Sequence, residues 1–303
     1  MPTKPTITSN YAGEFAGKYI SAAILSANTI ANNGITLMPN VKFKSTLKKV
    51  VSSGIVQDAT CDFTDAGTVT LSDKVLTVAE KQVNLQLCKT PFESDWEAVQ
   101  MGYSAFDVIP KNFSDFFIGK MLKDIALDTE NFIWNASTGI QTLLVADGST
   151  VIGTPVAITS ANVLAKLGLM VDGLPDALYG REDLRLFVSR NVAKAYVRAL
   201  GGFGASGLGS NGYANEGNAW YTNGTSLTFD GIELFVANGL PASNMVLTTI
   251  ENIYFGTGLM DDQNLIKTID MADIDGSKNV RFIARFTRGL QVGFGADSVT
   301  YTV

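Results

Sequence analysis

Residues 41–78 read VKFKSTLKKVVSSGIVQDATCDFTDAGTVTLSDKVLTV, and the interpretation of this stretch decides the fold. VKFKSTLKKVV and TVTLSDKVLTV are rich in Val, Leu and Thr, while SSGIVQDATCDFTDAG between them is dense in Gly, Ser and Asp. Two β-prone runs around a turn-rich one predict a long two-stranded ribbon. Such a pair of strands is only marginally stable alone in water, so it needs a surface to lie on, and another copy of the chain is the expected one. Lys42, Lys44, Lys48 and Lys49 form the densest basic cluster of the sequence, with Lys74 on the return run. This cluster is a candidate contact for an acidic neighbouring subunit or for DNA, although a solvated strand edge carries the same residue types.

Downstream of the ribbon, residues 82–89 alternate strictly, with Val83, Leu85 and Leu87 on one face and Asn84, Gln86 and Cys88 on the other. The same period of two returns near the C-terminus in Val280, Phe282, Ala284 and Phe286, then in Leu290, Val292 and Phe294, with Arg281, Arg285 and Gln291 opposite. Gly289 is expected to allow a turn or bend there, because unbroken strands of that length are rare. Together with residues 298–303 these segments predict one antiparallel sheet joining the middle of the chain to its end. A helix over residues 113–137 is expected to pack on it, with Phe113, Phe117, Met121, Ile125 and Phe132 as its apolar stripe and Asn112 or Ser114 as its cap. Upstream, Pro2, Pro5 and their Thr and Ser neighbours read as an extended arm. An amphipathic helix over residues 12–31 follows, with Phe15, Tyr19, Ala22, Ala23 and Ser26 at helical spacing and Asn32-Asn33-Gly34 as its stop.

Residues 159–259 read as a compact α/β unit. Its parts are a helix over 161–172 closed by Gly173 and Pro175, a buried strand LRLFV at 184–188, a helix over 191–200 capped by Ser189, and a hairpin at Asp230-Gly231. Between that helix and the hairpin lies GGFGASGLGSNGYANEG, residues 201–217. A loop of this length in a compact unit usually serves an interaction, which makes its large side chains Phe203, Leu208 and Tyr213 candidate contacts.

The residue inventory argues against an enzyme. With no histidine in 303 residues, Ser-His-Asp, Cys-His and His-zinc chemistry are excluded. Cys61 and Cys88 form no CxxC pair, so no zinc knuckle or thioredoxin-type site can be assembled, and two free thiols are expected. The glycine-rich loop lacks a GK[ST] ending, and Leu208 stands where GxSxG requires its second glycine. Ser45-Thr46-Leu47-Lys48 matches SxxK, but no SDN or KTG accompanies it. Asp270, Asp273 and Asp275-Gly276 suggest a calcium loop, yet the EF-hand register would put Met271 first and Phe282 last, so a solvated turn is the better reading. No catalytic, metal or cofactor residue is therefore nominated. A net charge of −6 and a pI near 4.8 oppose a protein that grips nucleic acid through a basic face. Only 17% of residues are charged, below the roughly 25% of average soluble domains, as expected where much of the surface meets other protein. No signal-peptide pattern and no apolar run long enough to span a bilayer is found, so synthesis and folding in the cytoplasm are expected.

The predicted order of arm, long hairpin, strand, long helix, α/β unit and return to the first sheet is similar to the Hong Kong 97-type capsid fold of tailed phages. ATCDFTDAGTVTLSD, VNLQLCKTPFESDWEAVQMGYSA, FVSRNVAKAYVRALGGFGASGLG and IDMADIDGSKNVRFIARFTRGLQVGFGADSVTYTV resemble segments of capsid proteins of this type. The resemblance implies an α+β fold with an N-terminal arm (1–40), an extended loop (41–78), a peripheral domain (79–158 and 262–303) carrying a spine helix at 113–137, and an axial domain (159–261). It further implies a major capsid protein that assembles into hexamers and pentamers, enclosing double-stranded DNA without sequence preference in a virion built in the bacterial cytoplasm. Portal, decoration and separate scaffolding proteins are the expected partners, and no membrane is. No motif for a lysine-asparagine isopeptide cross-link is present. Two alternatives stay open: an encapsulin-like compartment and a tail or baseplate component.

Overall fold

The computed structural model describes residues 27–59, 61, 63, 65–88, 111–153, 155–200, 227–258 and 266–303. In chain order a short helix α1 (Asn28–Ala31) leads to strand β1 (Thr36–Met38). A hairpin of β2 (Lys44–Ser53) and β3 (Thr68–Thr77) follows, and one residue later β4 (Ala79–Cys88). Next come the long helix α2 (Lys111–Ile133), helix α3 (Ile140–Ala146) and strand β5 (Thr150–Val151). Helix α4 (Val163–Asp172), strand β6 (Leu184–Val188) and helix α5 (Arg190–Leu200) precede β7 (Thr228–Phe229), β8 (Ile232–Val236), β9 (Met245–Thr249) and β10 (Ile253–Gly256). The remaining elements are β11 (Ile266–Asp270), the single-turn helix α6 (Ala272–Asp275), β12 (Asn279–Val292) and β13 (Val299–Tyr301).

The two alternating segments do zip together. Strand β12 pairs antiparallel with β4 from Asn279↔Cys88 to Arg288↔Ala79, with β11 along its opposite edge, and further along with β10, which β1 joins in parallel. Period two then sorts the side chains: Val280, Phe282, Ala284 and Phe286 are buried while Arg285 is exposed. Phe282, Ala284 and Phe286 share one apolar core with Ile118, Ile125, Ile133 and Trp134 from α2 and its end. Helix α2 stops at Ile133, short of the expected residue 137, because the Asn135 side chain turns back to accept from the N–H groups of Ser137 (2.8 Å) and Thr138 (3.2 Å).

Six strands, in the order β5-β13-β9-β6-β8-β7, form a second sheet. Leu184, Leu186 and Val188 of β6 meet α4 and α5 through Val163, Leu167, Val192 and Tyr196. Phe187 points the other way, its ring 5.2 Å from Trp134 and 5.3 Å from Phe235, inside the first core. Burial on both faces is why LRLFV is apolar apart from Arg185, which is half-buried and pairs with Glu233 at 2.9 Å. The β7–β8 turn at Asp230-Gly231 has both residues at positive φ (51° and 79°), as a tight hairpin requires.

Two further expectations are corrected. Residues 298–303 do not extend the first sheet: Val299–Tyr301 lies in the second, antiparallel to β9 and parallel to β5. The tight passage at Gly293–Gly295 carries the chain across, with the Asn252 Oδ1 accepting from Phe294 N (2.6 Å) and Asp147 Oδ2 from Gly295 N (2.6 Å). Gly289 makes no bend, because β12 runs unbroken through it for 14 residues. Its small size serves a close approach instead, taken up below.

Of the expected N-terminal helix, residues 12–26 lie outside the described residues, and the described end, α1, stops at Asn32-Asn33-Gly34 as its sequence implies, with Asn33 at φ 54°. A buried carboxylate fixes this end to α2. Glu130, 2% exposed, accepts from Thr29 N (3.0 Å) and Thr29 Oγ1 (2.5 Å), while Trp134 Nε1 donates to Thr29 Oγ1 (2.8 Å).

Candidate intersubunit surface

The ribbon predicted for residues 41–78 is present: β2 and β3 pair antiparallel from Lys44↔Thr77 to Ser53↔Thr68, with no third strand among the described residues. At its far end Gly54 and Gly67, both at positive φ (65° and 81°), close the neck of the connecting loop. A Cβ on Gly67 would fall 2.6 Å from the Ser53 carbonyl oxygen, so glycine is required at that turn.

Cross-strand partners share a face, so the register divides the ribbon into two surfaces. One carries Ser45, Leu47 and Lys49 with Leu76, Lys74 and Ser72, and near the root it turns to the chain's own body. The other carries Thr46, Lys48 and Val50 with Val75, Asp73 and Leu71, then Val69, and it faces away. Val50, Leu71 and Val69 on this outer face are 57%, 63% and 65% exposed, and in the loop Val56 and Phe63 reach 89% and 97%. Scattered exposed apolar residues are ordinary, whereas a β-branched and leucine stripe along a projecting two-stranded sheet is the kind of surface that marks a candidate interface.

The root is seated by contacts between segments far apart in sequence. Val41, Leu76 and Val78 form a small buried core with Met38 against them. Beneath it, the register partners Gly256 and Gly289 form a flat saddle. A Cβ on Gly289 would sit 2.4 Å from the Thr77 carbonyl oxygen, and one on Gly256 would sit 2.8 Å from Leu76 Cδ2. Gln291 Nε2 donates to the Val75 carbonyl (2.9 Å), Lys74 Nζ to the Val292 carbonyl (3.2 Å), and Lys74 pairs with Asp147 Oδ2 at 2.5 Å. Lys49 Nζ lies 4.1 Å from the centre of the Phe294 ring. Burial pushes the Asp147 carboxyl up. The Lys74 hydrogen bond, the Gly295 N–H and the charges of Lys74 and Lys49 outweigh that effect and hold it below the usual carboxylate value.

The nominated lysines therefore part company. Lys42, Lys44 and Lys48 are exposed, whereas Lys49 and Lys74 are engaged by the chain's own Phe294 and Asp147. Phe203, Leu208 and Tyr213 lie outside the described residues. Ser45 and Lys48 fall on opposite faces of the ribbon, so SxxK brings no serine to its lysine. Asp275 accepts from Ser277 N (3.0 Å) beside Gly276 at φ 70°, the geometry of a turn. Neither cysteine is in a disulfide. Among the described residues no three His, Cys, Asp or Glu side chains gather as a metal site, and no helix is long and apolar enough to cross a membrane. A cleft beside the β7–β8 turn is lined by Tyr179, Arg181, Arg185 and Glu233, with its guanidinium groups paired to Asp183, Glu251 and Glu233.

No protein-family model and no curated protein matches the sequence. Solved structures do match the fold. A chain from the capsid of a native GTA particle superposes with a TM-score of 0.58 at 14% identity, covering 100% of this chain and 95% of that one. A chain from Gordonia phage Cozz gives 0.60 at 10% identity, covering 91% and 86%, and one from the capsid of Myoviridae phage XM1 gives 0.56 at 14%, covering 91% of each.

The chain has the capsid-protein fold.

The likeness runs over nearly the whole length, and the α+β capsid fold that the sequence resembled is the one observed. Within that fold, sequence reasoning found the ribbon and its lysines but missed Asp147, Phe294 and the Gly256/Gly289 saddle. Gly289 had a usable signal, since a glycine inside an alternating strand marks either a bend or a close approach.

Proposed function

We propose that this chain is a shell-forming subunit of a tailed-phage or GTA-type capsid, assembling into hexamers and pentamers around double-stranded DNA and catalysing no reaction. The observation that carries the reading is the ribbon: a two-stranded sheet seated, among the described residues, by its root half, presenting an outward stripe of Val50, Val69 and Leu71 in a chain with the capsid fold. Fully burying such side chains gains roughly 1.5–3 kcal/mol each, and each subunit of a closed shell repeats the gain. Interfaces of obligate assemblies bury about 2,000 Å² or more, which one compact body lacking a projecting arm reaches less readily.

In this reading residues 1–40 are an arm and 41–78 the extended loop draped on an adjacent copy, with Lys42, Lys44 and Lys48 at that contact. Residues 79–158 and 262–303 form the peripheral body and 159–261 the axial unit, with β5 and β13 crossing into the axial sheet and β10 into the peripheral one, and with Phe203, Leu208 and Tyr213 assigned to the side of the capsomer axis. Separate scaffolding, portal and decoration proteins complete the particle. The test is expression of the full chain, alone and with its genomic neighbours, followed by sedimentation and negative-stain microscopy. Closed icosahedral shells that package DNA are expected. Open tubes or rings, shells filled with a cargo protein, or a stable monomer under all conditions would overturn the proposal.

A further inference from the structure

We propose that the Lys74–Asp147 ion pair is a latch that fixes the angle of the β2–β3 ribbon on its two-glycine saddle, so that opening this one contact frees the ribbon to pivot about Val78. The inference concerns the single subunit and holds whether or not shells form, so the two proposals fail separately.

Among the described residues, anchoring is confined to the half of the ribbon nearer its root, as far as Lys49. Val78 alone separates β3 from β4, which belong to different sheets, and its N–H is held by the Phe43 carbonyl (3.1 Å). The body meets the ribbon through the saddle, through Lys74, Lys49 and the Gln291–Val75 bond. Further out, Val50, Val51, Val69 and Leu71 are all exposed. The saddle fixes height but not direction, since two facing glycines offer a flat seat. Direction is set from the side. Asp147 closes α3, its N–H bonded to the Leu143 and Leu144 carbonyls (3.1 Å each) and its carboxylate to Gly295 N. A Cβ on Gly295 would lie 2.4 Å from the Asp147 carbonyl oxygen, so this part of the body is packed without slack. Asp147 is thus a fixed post and Lys74 the movable half.

The charged groups facing Asp147 among the described residues are Lys74 from β3 and Lys49 from β2, both on the ribbon. Protonating one carboxylate therefore removes its charge attraction for both strands at once, leaving the shorter-lever contacts of Lys74 with the Val292 carbonyl, Lys49 with Phe294 and Gln291 with the Val75 carbonyl. Because the Asp147 pKa is depressed, the latch stays closed at neutral pH and opens as pH falls through that lowered value. Each ten-residue strand is about 33 Å long, so every ~10° of rotation at the root moves the far end by about 6 Å.

The test measures that displacement. Cys61 in the exposed loop and an introduced Ser160→Cys on the body are spin-labelled in a Cys88→Ser background, diluted with excess unlabelled full chain, and the distance distribution is read by pulsed electron resonance. One narrow distribution is expected at neutral pH. A shift or broadening of several ångströms is expected in Asp147→Asn, in Lys74→Met, and on acidification of the parent. Circular dichroism and the urea midpoint identify any variant that has unfolded. A broad distribution in the parent at neutral pH, or an unchanged narrow one in both folded variants, overturns the latch.

Discussion

Replacing Gly289 with alanine should destabilise the protein, against the usual trend for that substitution. A strand glycine changed to alanine ordinarily gains about 0.5–1 kcal/mol, because the unfolded chain loses freedom. At Gly289 the new Cβ would lie 2.4 Å from the Thr77 carbonyl oxygen, 3.0 Å from its carbon and 2.9 Å from Val78 Cγ1. Two of these atoms are backbone, so no rotamer change relieves them, and either β12 or the ribbon root must move. Overpacking of this kind costs about 1–3 kcal/mol, leaving a net loss of roughly 0.5–2 kcal/mol. Gly256→Ala should cost less, because its nearest neighbour is the end of the Leu76 side chain, at 2.8 Å, and the two substitutions should be non-additive. Gly168→Ala is the internal control: it lies inside α4 with nothing within 4 Å of its added Cβ, and should gain about 1 kcal/mol. Urea unfolding followed by tryptophan fluorescence reads all four changes as midpoint shifts at constant m. A Gly289→Ala midpoint equal to or above the parent's would refute the seating of the ribbon on the glycine saddle.

Two further outcomes are expected. Leu71→Asp, at a side chain 63% exposed, should change stability by less than about 0.5 kcal/mol while abolishing closed shells, with thermal melts and sedimentation compared on one preparation. Folding lost together with assembly would show that Leu71 packs within the subunit. Glu130→Ala should cost about 1–3 kcal/mol and shift the Trp134 emission, since Thr29 N and Oγ1 lose a buried acceptor and the indole partner loses its anchor. Glu130→Gln, which keeps one acceptor oxygen, should lie between Ala and the parent in urea midpoint.

Much of this architecture was written locally. The ribbon, the alternation in β4 and β12, the doubly buried run of β6, the stop after α1 and the Asp230-Gly231 turn all follow from side-chain period or turn chemistry, which act over a few residues. Absence of histidine likewise removes whole classes of chemistry by composition alone. Period two reports that a strand has an inside and an outside, but it does not name the sheet that supplies the inside. Residues 299–301 therefore alternate equally well in either sheet, and only packing against β9 and β5 placed them. The same ambiguity applied to Gly289, whose missing side chain fitted a bend or a neighbour at close range until Thr77 was found above it. Among the five ribbon lysines, charge was legible and direction was not: register turned Lys44 and Lys48 outward and Lys49 inward, and Asp147, distant in sequence, captured Lys74. Contacts of that kind depend on which distant segments folding brings within a few ångströms, and no local pattern encodes that distance.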